Sequence, residues 1–227
     1  MFYRENGQFK TSYRQDQQIF SITQDRWAVL AIIAFAVFAV PFLVDEYLLR
    51  AILLPFVILA LAAVGVNVLV GYCGQISLGS GAFMGMGAYV AYNAMVRVDG
   101  MPLIAAILIG GAAATLTGVI FGIPSLRVKG LYLSVATLAA QFFCEWGFLR
   151  VPWFTNDNPS GSVSVAGLKV MGWEINSPVE KYLFCLGFLI VFALLAKNLV
   201  RSAIGREWMA IRDMDVAASV IGIRPMY

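Results

Sequence analysis

Long apolar blocks separated by short polar segments make up most of the chain. The first 26 residues are polar, and blocks with little or no charge then occupy residues 27–44, 51–70, 78–96, 102–123, 131–149 and 181–197. A helix needs about 20 mostly apolar residues to cross a hydrocarbon core of about 30 Å, because every backbone N–H and C=O must be bonded within it. The pattern therefore predicts an all-α polytopic membrane protein with about six transmembrane helices.

The composition agrees with this class. Hydrophobic residues make up 60% of the 227 residues and charged residues 13%, with a mean hydropathy of +0.80, whereas soluble domains carry roughly 25% charged residues. An ordinary soluble domain is excluded. The first 26 residues lack the apolar core of a cleaved signal peptide, so we predict that residues 1–26 form an N-terminal arm and that the first apolar block remains as an anchor.

The distribution of basic residues predicts the orientation. Short segments rich in Lys and Arg stay on the cytoplasmic side of a membrane. With six spans, eleven of the 16 Lys and Arg residues fall on the same side as the N-terminus. We therefore expect a cytoplasmic N-terminus, an outer loop at 150–180 and a cytoplasmic segment at 200–227. The net charge of +3 reflects this topology and gives no reason to expect a nucleic-acid partner.

The residue types favour transport or packing over catalysis. Histidine is absent and the three cysteines, Cys73, Cys144 and Cys185, have no paired spacing. The predicted spans also lack two acids close in sequence, so neither a metal site nor a two-carboxylate centre is expected. We predict no catalytic residue and no metal site in this chain.

One face of the fifth span is polar. Ser134, Thr137, Gln141 and Glu145 follow at steps of three or four residues, which is one side of a helix. An acid in a membrane is costly. Glu145 either reaches the outer interface or pairs with Arg150, or it lines a solute path. Ser134, Thr137 and Gln141 either line the same path or form hydrogen bonds between helices.

Small residues recur at every fourth position of two spans. They are Gly110, Ala114, Gly118 and Gly122 in the fourth span, and Gly81 and Gly85 in the third. Such spacing lets helix backbones approach closely in a membrane. Static helix packing and sliding surfaces of a moving transporter are both compatible with it.

The outer loop at 150–180 is long for a membrane connection. It contains a turn-rich run at 156–161, and alternating residues on both sides of Ala166-Gly167 predict a small hairpin. Trp153 and Trp173 near its ends fit an interfacial aromatic belt. The loop could touch an external partner or gate a path, or it could be a solvated cap.

The segment after the last span predicts an amphipathic helix. Ile204, Trp208 and Ile211 share one face, Arg206 and Arg212 lie off that face, and Gly222 breaks the helix. From composition alone, this segment is either an interfacial membrane helix or a docking element for a cytoplasmic protein.

Three short motifs in the chain resemble the signatures of one transporter family. Residues 71–79, Gly-Tyr-Cys-Gly-Gln-Ile-Ser-Leu-Gly, are similar to the first, and residues 126–133, Leu-Arg-Val-Lys-Gly-Leu-Tyr-Leu, to the second. Gly205-Arg206, Ala210-Ile211-Arg212 and Ala217-Ala218 are similar to the third. In this order, over about residues 50–225, they resemble permeases of the branched-chain amino acid ATP-binding-cassette importer family, the M-type subunit more than the H-type.

The resemblance implies which residues act. Those expected to engage an ATPase are Gly205, Arg206, Arg212, Asp215, Ala217, Ala218 and Gly222. Asp215 stands one place before the acid of the family's coupling loop. Gln75 and Ser77 join the polar stripe as candidates for the solute path, since glycine-interrupted membrane segments tend to line cavities.

The resemblance also implies the cofactors and the partners. No Gly-Lys dipeptide occurs in the chain, so a phosphate-binding P-loop is not expected. No cofactor is expected in this chain, and ATP and Mg²⁺ would be bound by cytoplasmic ATP-binding-cassette ATPases. The other expected partners are an external substrate-binding protein, a second and different permease subunit, and membrane lipid.

The implied function is import across the bacterial inner membrane. Branched-chain amino acids, other amino acids, urea or amides, and small carboxylates remain possible solutes, because Ser80 stands where the family commonly has histidine and residues 158–162 lack its Gly-Gly-rich motif. The family continues through further helices, so we expect this chain to be part of a longer subunit. The alternatives are an ATP-independent channel or proton-coupled carrier using Glu145, and an assembly factor without transport activity.

Overall fold

The computed structural model describes residues 9, 11–12, 23–125, 131–156, 158, 160–165, 169–170, 173–175 and 177–223. Long helices dominate these residues. In chain order the elements are α1 (residues 23–43), α2 (Glu46–Tyr72), α3 (Ser80–Arg97), α4 (Leu103–Ser125), α5 (Leu131–Arg150), α6 (Pro152–Thr155), β1 (Lys169–Val170), β2 (Trp173–Glu174), α7 (Pro178–Arg201), α8 (Ala203–Asp213) and α9 (Asp215–Val220).

The helix lengths confirm the predicted class. Within the described part of the chain, four helices are long and apolar enough to cross a membrane: Gln24–Leu43, Glu46–Tyr72, Leu103–Ile123 and Pro178–Arg201. The helices α3 and α5 lie where the third and fifth spans are predicted. The chain is thus an all-α polytopic protein, with one two-residue strand pair in the part that the structure describes. The count of six spans and the orientation stay predictions.

Two prolines shape the first two helices. Pro41 follows a π-helical turn at Phe35–Ala39, and Pro55 follows one at Leu49–Leu53. Proline has no N–H, and its ring displaces the carbonyl four residues earlier. In each helix that carbonyl lies within the π turn. The wider turn therefore carries the chain past proline without ending the helix.

The helices α1, α2 and α7 form one packed group. Their shared core contains Val40, Leu49, Val57, Tyr182 and Leu186. The Tyr182 hydroxyl donates a hydrogen bond of 3.2 Å to the Ala36 carbonyl. Because the Val40 N–H bonds to Phe35 and Pro41 has no N–H, this hydroxyl satisfies a carbonyl near the π turn.

The helices α3, α4 and α5 form a second group, and α3 contacts both neighbours. Its closest approach to α4 is at Gly87 and Gly110, where a Cβ on Gly110 would clash with the Gly87 carbonyl. Gly81 and Gly85 face α5 instead, against Gln141 and Phe148. Small residues on α3 therefore serve two different helix contacts.

The predicted stripe on α4 also divides into two halves. Gly110 and Ala114 lie against Gly87 of α3, whereas a Cβ at Gly118 or Gly122 would meet no atom within 4 Å. Only the first half packs against α3.

The predicted outer loop contains a pair of short strands among its described residues. The strands β1 and β2 are antiparallel, with Lys169 opposite Glu174 and Val170 opposite Trp173. The predicted turn at Ala166-Gly167 lies outside the described residues.

Candidate functional site

A break in the helical path separates α2 from α3. Gly74 has φ +69°, a left-handed conformation that glycine adopts without strain and that commonly ends helices. The Cys73 N–H bonds to the Val68 carbonyl and the Gln75 N–H to the Leu69 carbonyl. These bonds satisfy two of the carbonyls left open at the end of α2.

Cys73 lies at this break, and burial raises the pKa of its thiol above the usual value.

Hydroxyl groups of α5 bind the backbone of the break. Ser134 Oγ donates to the Ile76 carbonyl at 3.2 Å, and Thr137 Oγ1 accepts from the Leu78 N–H at 3.0 Å. Gly79 lies so close to α5 that an added Cβ would stand 2.8 Å from the Thr137 carbonyl. Non-helical backbone inside a membrane protein is tolerated where neighbours satisfy it in this way.

A cavity of about 430 Å³ opens beside this break, within the usual size of small-ligand sites. Three polar side chains, from Gln75, Ser77 and Thr137, face it from the break and α5. The remaining lining is apolar or glycine: Leu69, Phe83, Gly118, Phe121, Gly122, Leu133, Ala136 and Ala140.

The structure divides the predicted path residues. Gln75, Ser77 and Thr137 meet at the cavity, whereas Ser134 is buried under the break and Gln141 lies over Gly81.

Glu145 lies apart from the cavity lining and is exposed. Among the residues that the structure describes, it forms no ion pair with Arg150. The pairing that the sequence left open is therefore absent from this structure, and Glu145 is not brought to the polar groups of the cavity.

The segment predicted to be cytoplasmic, at 200–227, contains the two helices α8 and α9. Ser202 Oγ accepts from the Gly205 N–H and caps α8. A Cβ on Gly205 would clash with the Val200 backbone, so α8 turns tightly against the end of α7. The predicted single helix is interrupted at Met214, where extended backbone separates α8 from α9.

The end of α9 has the expected break. Gly222 has φ +90°, and the Ile223 N–H bonds to the Ala218 carbonyl at 3.0 Å. This is a glycine C-cap of the Schellman type. Ala218 is buried, while Asp215 and Ala217 are exposed.

Arg212 connects this segment with the break. One of its guanidinium nitrogens donates to the Gly71 carbonyl, and its Nη2 lies 2.7 Å from the Asp213 carboxylate. Its aliphatic stem covers Gly74 so closely that a Cβ there would clash with Arg212 Cγ. A cation beside an open carbonyl at a helix C-terminus is favourable, so α8 is fixed to the end of α2.

A polar cluster at the other end of α3 was missed in the sequence. Asn93 Nδ2 donates to the Phe154 carbonyl at 3.1 Å, and the Tyr89 hydroxyl donates to the Gly161 carbonyl at 2.8 Å. Arg97 donates to Asn93 Oδ1 and lies 5.2 Å from the centre of the Trp153 ring. Tyr89, Asn93 and Arg97 follow one another at intervals of four residues, and this spacing could have predicted a polar face on α3.

Comparison with known proteins identifies the family. Residues 48–227 match the model of the branched-chain amino acid transport system permease component, and the chain belongs to this family. It is therefore an integral multi-pass membrane protein.

Two relatives illustrate the similarity. The chain is 27% identical over 228 residues to the high-affinity branched-chain amino acid transport system permease protein LivM of Escherichia coli (strain K12), covering 90% of this chain and 53% of that protein. The Salmonella typhimurium (strain LT2) protein of the same name is 25% identical with the same coverage. The chain thus spans about half the length of these relatives. No solved structure matches it.

Proposed function

We propose that the chain forms part of the permease of an ATP-driven importer in the bacterial inner membrane. Its solutes would be branched-chain amino acids or related small polar or carboxylate compounds. Family membership and the names of the two relatives support the solute class. Cytoplasmic ATP-binding-cassette ATPases would bind ATP and Mg²⁺, an external binding protein would deliver the solute, and a second permease subunit would complete the path.

The observation that carries the mechanism is the position of Arg212. Its side chain contacts Gly71 and Gly74 at the break. Gln75, the next residue along the chain, lines the cavity. The segment expected to meet an ATPase therefore contacts Gly74, the residue directly before Gln75 in the lining of the candidate solute path.

This arrangement permits a displacement of α8 to reach the cavity. A pull on α8 would act through Arg212 on the end of α2, and rotation about Gly74 would have to break the hydrogen bond from the Gln75 N–H to the Leu69 carbonyl. Bistable helix contacts amplify small shifts of this kind into opening of one side. Arg212 would thus be a positioning residue that transmits the motion.

The cavity chemistry fits the proposed solutes. Its apolar walls would take a branched aliphatic side chain, and the three polar side chains would offer hydrogen bonds to the amino and carboxylate groups. Sites of this kind combine mostly apolar lining with a few placed polar groups. Within the described lining no charged residue is present, so recognition would rest on hydrogen bonds and shape.

The test replaces Arg212 with glutamine in the assembled transporter. Arg212→Gln should lower ATP-dependent leucine uptake into membrane vesicles at least tenfold for each bound ATPase, because the guanidinium contact with α2 is lost. The control is Arg50→Gln, whose described ion pair is with Glu46 of its own helix at 3.7 Å. Unchanged uptake by Arg212→Gln would refute the proposed transmission.

The variant Glu145→Gln distinguishes an ATP-driven permease from a proton-coupled carrier. An ATP-driven permease should keep uptake within about twofold and lose it on ATP depletion, since Glu145 lies away from the cavity lining. A proton-coupled carrier should lose uptake in this variant and on addition of a protonophore. The second result would replace the importer with a carrier.

A further inference from the structure

A second cavity lies between α2 and α7, at the end of α7 that the charge count places in the cytoplasm. It has a volume of about 340 Å³ and is lined by Lys197 and Arg201 of α7 together with Asn67 and Tyr72 of α2. In the sequence, Lys197 and Arg201 contributed only to the prediction of orientation. In the structure Lys197 and Arg201 converge on this cavity, at the C-terminal end of α7.

An apolar groove continues from this cavity along the same two helices. The groove, of about 530 Å³, shares Val64, Val68 and Ala196 with the basic cavity. Only apolar residues line the rest of it, among them Phe192 and Leu199. A basic cavity and an apolar groove with a common wall match the two chemically different parts of a membrane lipid.

We propose that this composite site binds one anionic phospholipid of the surrounding membrane. The phosphate would lie between Lys197 and Arg201, and an acyl chain would occupy the groove. Basic pockets between membrane helices on the cytoplasmic side recognise anionic lipid head groups. The hydroxyl of Tyr72 and the amide of Asn67 supply neutral hydrogen bonds to the same head group.

The surrounding charges favour an anion. Among the described residues, Arg201 acts on Lys197 as a neighbouring positive charge and Asp25 of α1 acts on it as a negative one. Arg206 of α8 donates to the Arg201 carbonyl at 3.1 Å and adds a third cation. Lys197 and Arg201 both line the cavity, so a lipid with net negative charge would gain more from it than a zwitterionic lipid of the same shape.

A second groove on α7 supplies an internal contrast. It is lined by Leu183, Phe184, Gly187, Phe188, Val191 and Phe192, without a basic residue. An acyl chain could enter both grooves, but only the groove beside Lys197 and Arg201 should select the head group.

The first experiment measures head-group selectivity. The delipidated protein, purified with its partner subunits, is titrated with dioleoyl phosphatidylglycerol or dioleoyl phosphatidylcholine and followed by native mass spectrometry. We expect saturation at one phosphatidylglycerol per chain, with affinity roughly 25-fold above phosphatidylcholine, at about fivefold for each of the two basic residues. Equal affinity for the two lipids would overturn the proposal.

Charge variants test whether Lys197 and Arg201 cause the head-group selectivity. Lys197→Gln/Arg201→Gln should bring phosphatidylglycerol to the affinity of phosphatidylcholine. The control Lys181→Gln/Arg150→Gln removes the same charge at the opposite end of the membrane helices and should leave the selectivity unchanged. An equal loss in both double variants would show a bulk charge effect and overturn the site.

The groove variants test the acyl chain without altering charge. At Gly65 an added Cβ meets no atom within 4 Å, so Gly65→Leu should fold and fill the groove, lowering the affinity for both lipids about tenfold. Gly187→Leu in the second groove, also free of contacts at its Cβ, should not affect the selective site. Normal phosphatidylglycerol binding by Gly65→Leu would contradict the acyl-chain position.

Two further outcomes identify other occupants. Release of phosphatidylglycerol by millimolar inorganic phosphate would show a free-anion site instead of a lipid site. Absence of any lipid from the groove in the assembled protein would mean that protein covers it, and would also overturn the proposal. Lipid binding is measured without transport, so neither outcome affects the proposed transport function.

Discussion

At the scale of single residues, Gly74 meets two separate requirements. Its left-handed backbone ends α2, and the absence of a side chain leaves room for the stem of Arg212. A non-glycine residue in the left-handed region costs about 1–2 kcal/mol. Overfilling a packed contact costs about 1–3 kcal/mol more. Comparison with another left-handed glycine therefore separates the free energy of the Gly74–Arg212 contact from that of backbone strain.

We expect Gly74→Ala to lower the free energy of unfolding by about 2–5 kcal/mol and to reduce uptake, because the methyl group displaces Arg212. The matched control is Gly100→Ala. Gly100 has φ +77° but nothing within 4 Å of an added Cβ, so only about 1–2 kcal/mol of strain is expected there. Thermal unfolding in detergent gives the comparison. Equal destabilisation by the two changes would contradict the packing role of Arg212.

At the scale of helices, close packing is confined to part of the small-residue stripe. Gly110→Ala should destabilise the protein by about 1–3 kcal/mol, because its methyl group would meet the Gly87 carbonyl and Ala91. Gly111→Ala, on the open side of the same helix, should change stability by less than about 1 kcal/mol in either direction. The same unfolding assay distinguishes them. A tolerated Gly110→Ala would show that α3 and α4 can separate freely.

Helix positions were predictable because apolar blocks of this length have few other stable conformations in a membrane. The polar face of α5 was predictable too. Helical periodicity shows which side chains share a face, but it does not show which residues of other helices that face contacts. Thr137 therefore reached the cavity while Ser134 was covered by the break. The contact between Arg212 and Gly71, 141 residues apart, depends on tertiary packing, which no local pattern in the chain encodes.

At the scale of the whole molecule, the break and α8 join the two helix groups. Ser134 and Thr137 of the second group bind the break, and Arg212 binds the end of α2 in the first. A movement of one group relative to the other must therefore alter the cavity or release these bonds. In the proposed importer, alternating access would therefore act through this junction.

The orientation decides whether this junction can respond to a cytoplasmic ATPase. A cysteine-free background, with Cys73, Cys144 and Cys185 replaced by serine or alanine, permits single cysteines at Ser164 in the predicted outer loop and at Val220 in α9, both exposed. Positive-inside topology predicts that an impermeant maleimide labels Ser164→Cys in intact spheroplasts. Val220→Cys should label only after lysis, because α9 would face the cytoplasm.

Labelling both variants after lysis controls for reactivity of the two cysteines, and a cytoplasmic marker enzyme controls for leakage. The reverse pattern would place α8 and α9 outside the cell, where ATP is not available. Arg212 could then not transmit ATP hydrolysis, whatever its effect on stability. The transport proposal would lose its energy source, while the contacts of Arg212 with Gly71 and Gly74 would keep a structural role in ending α2.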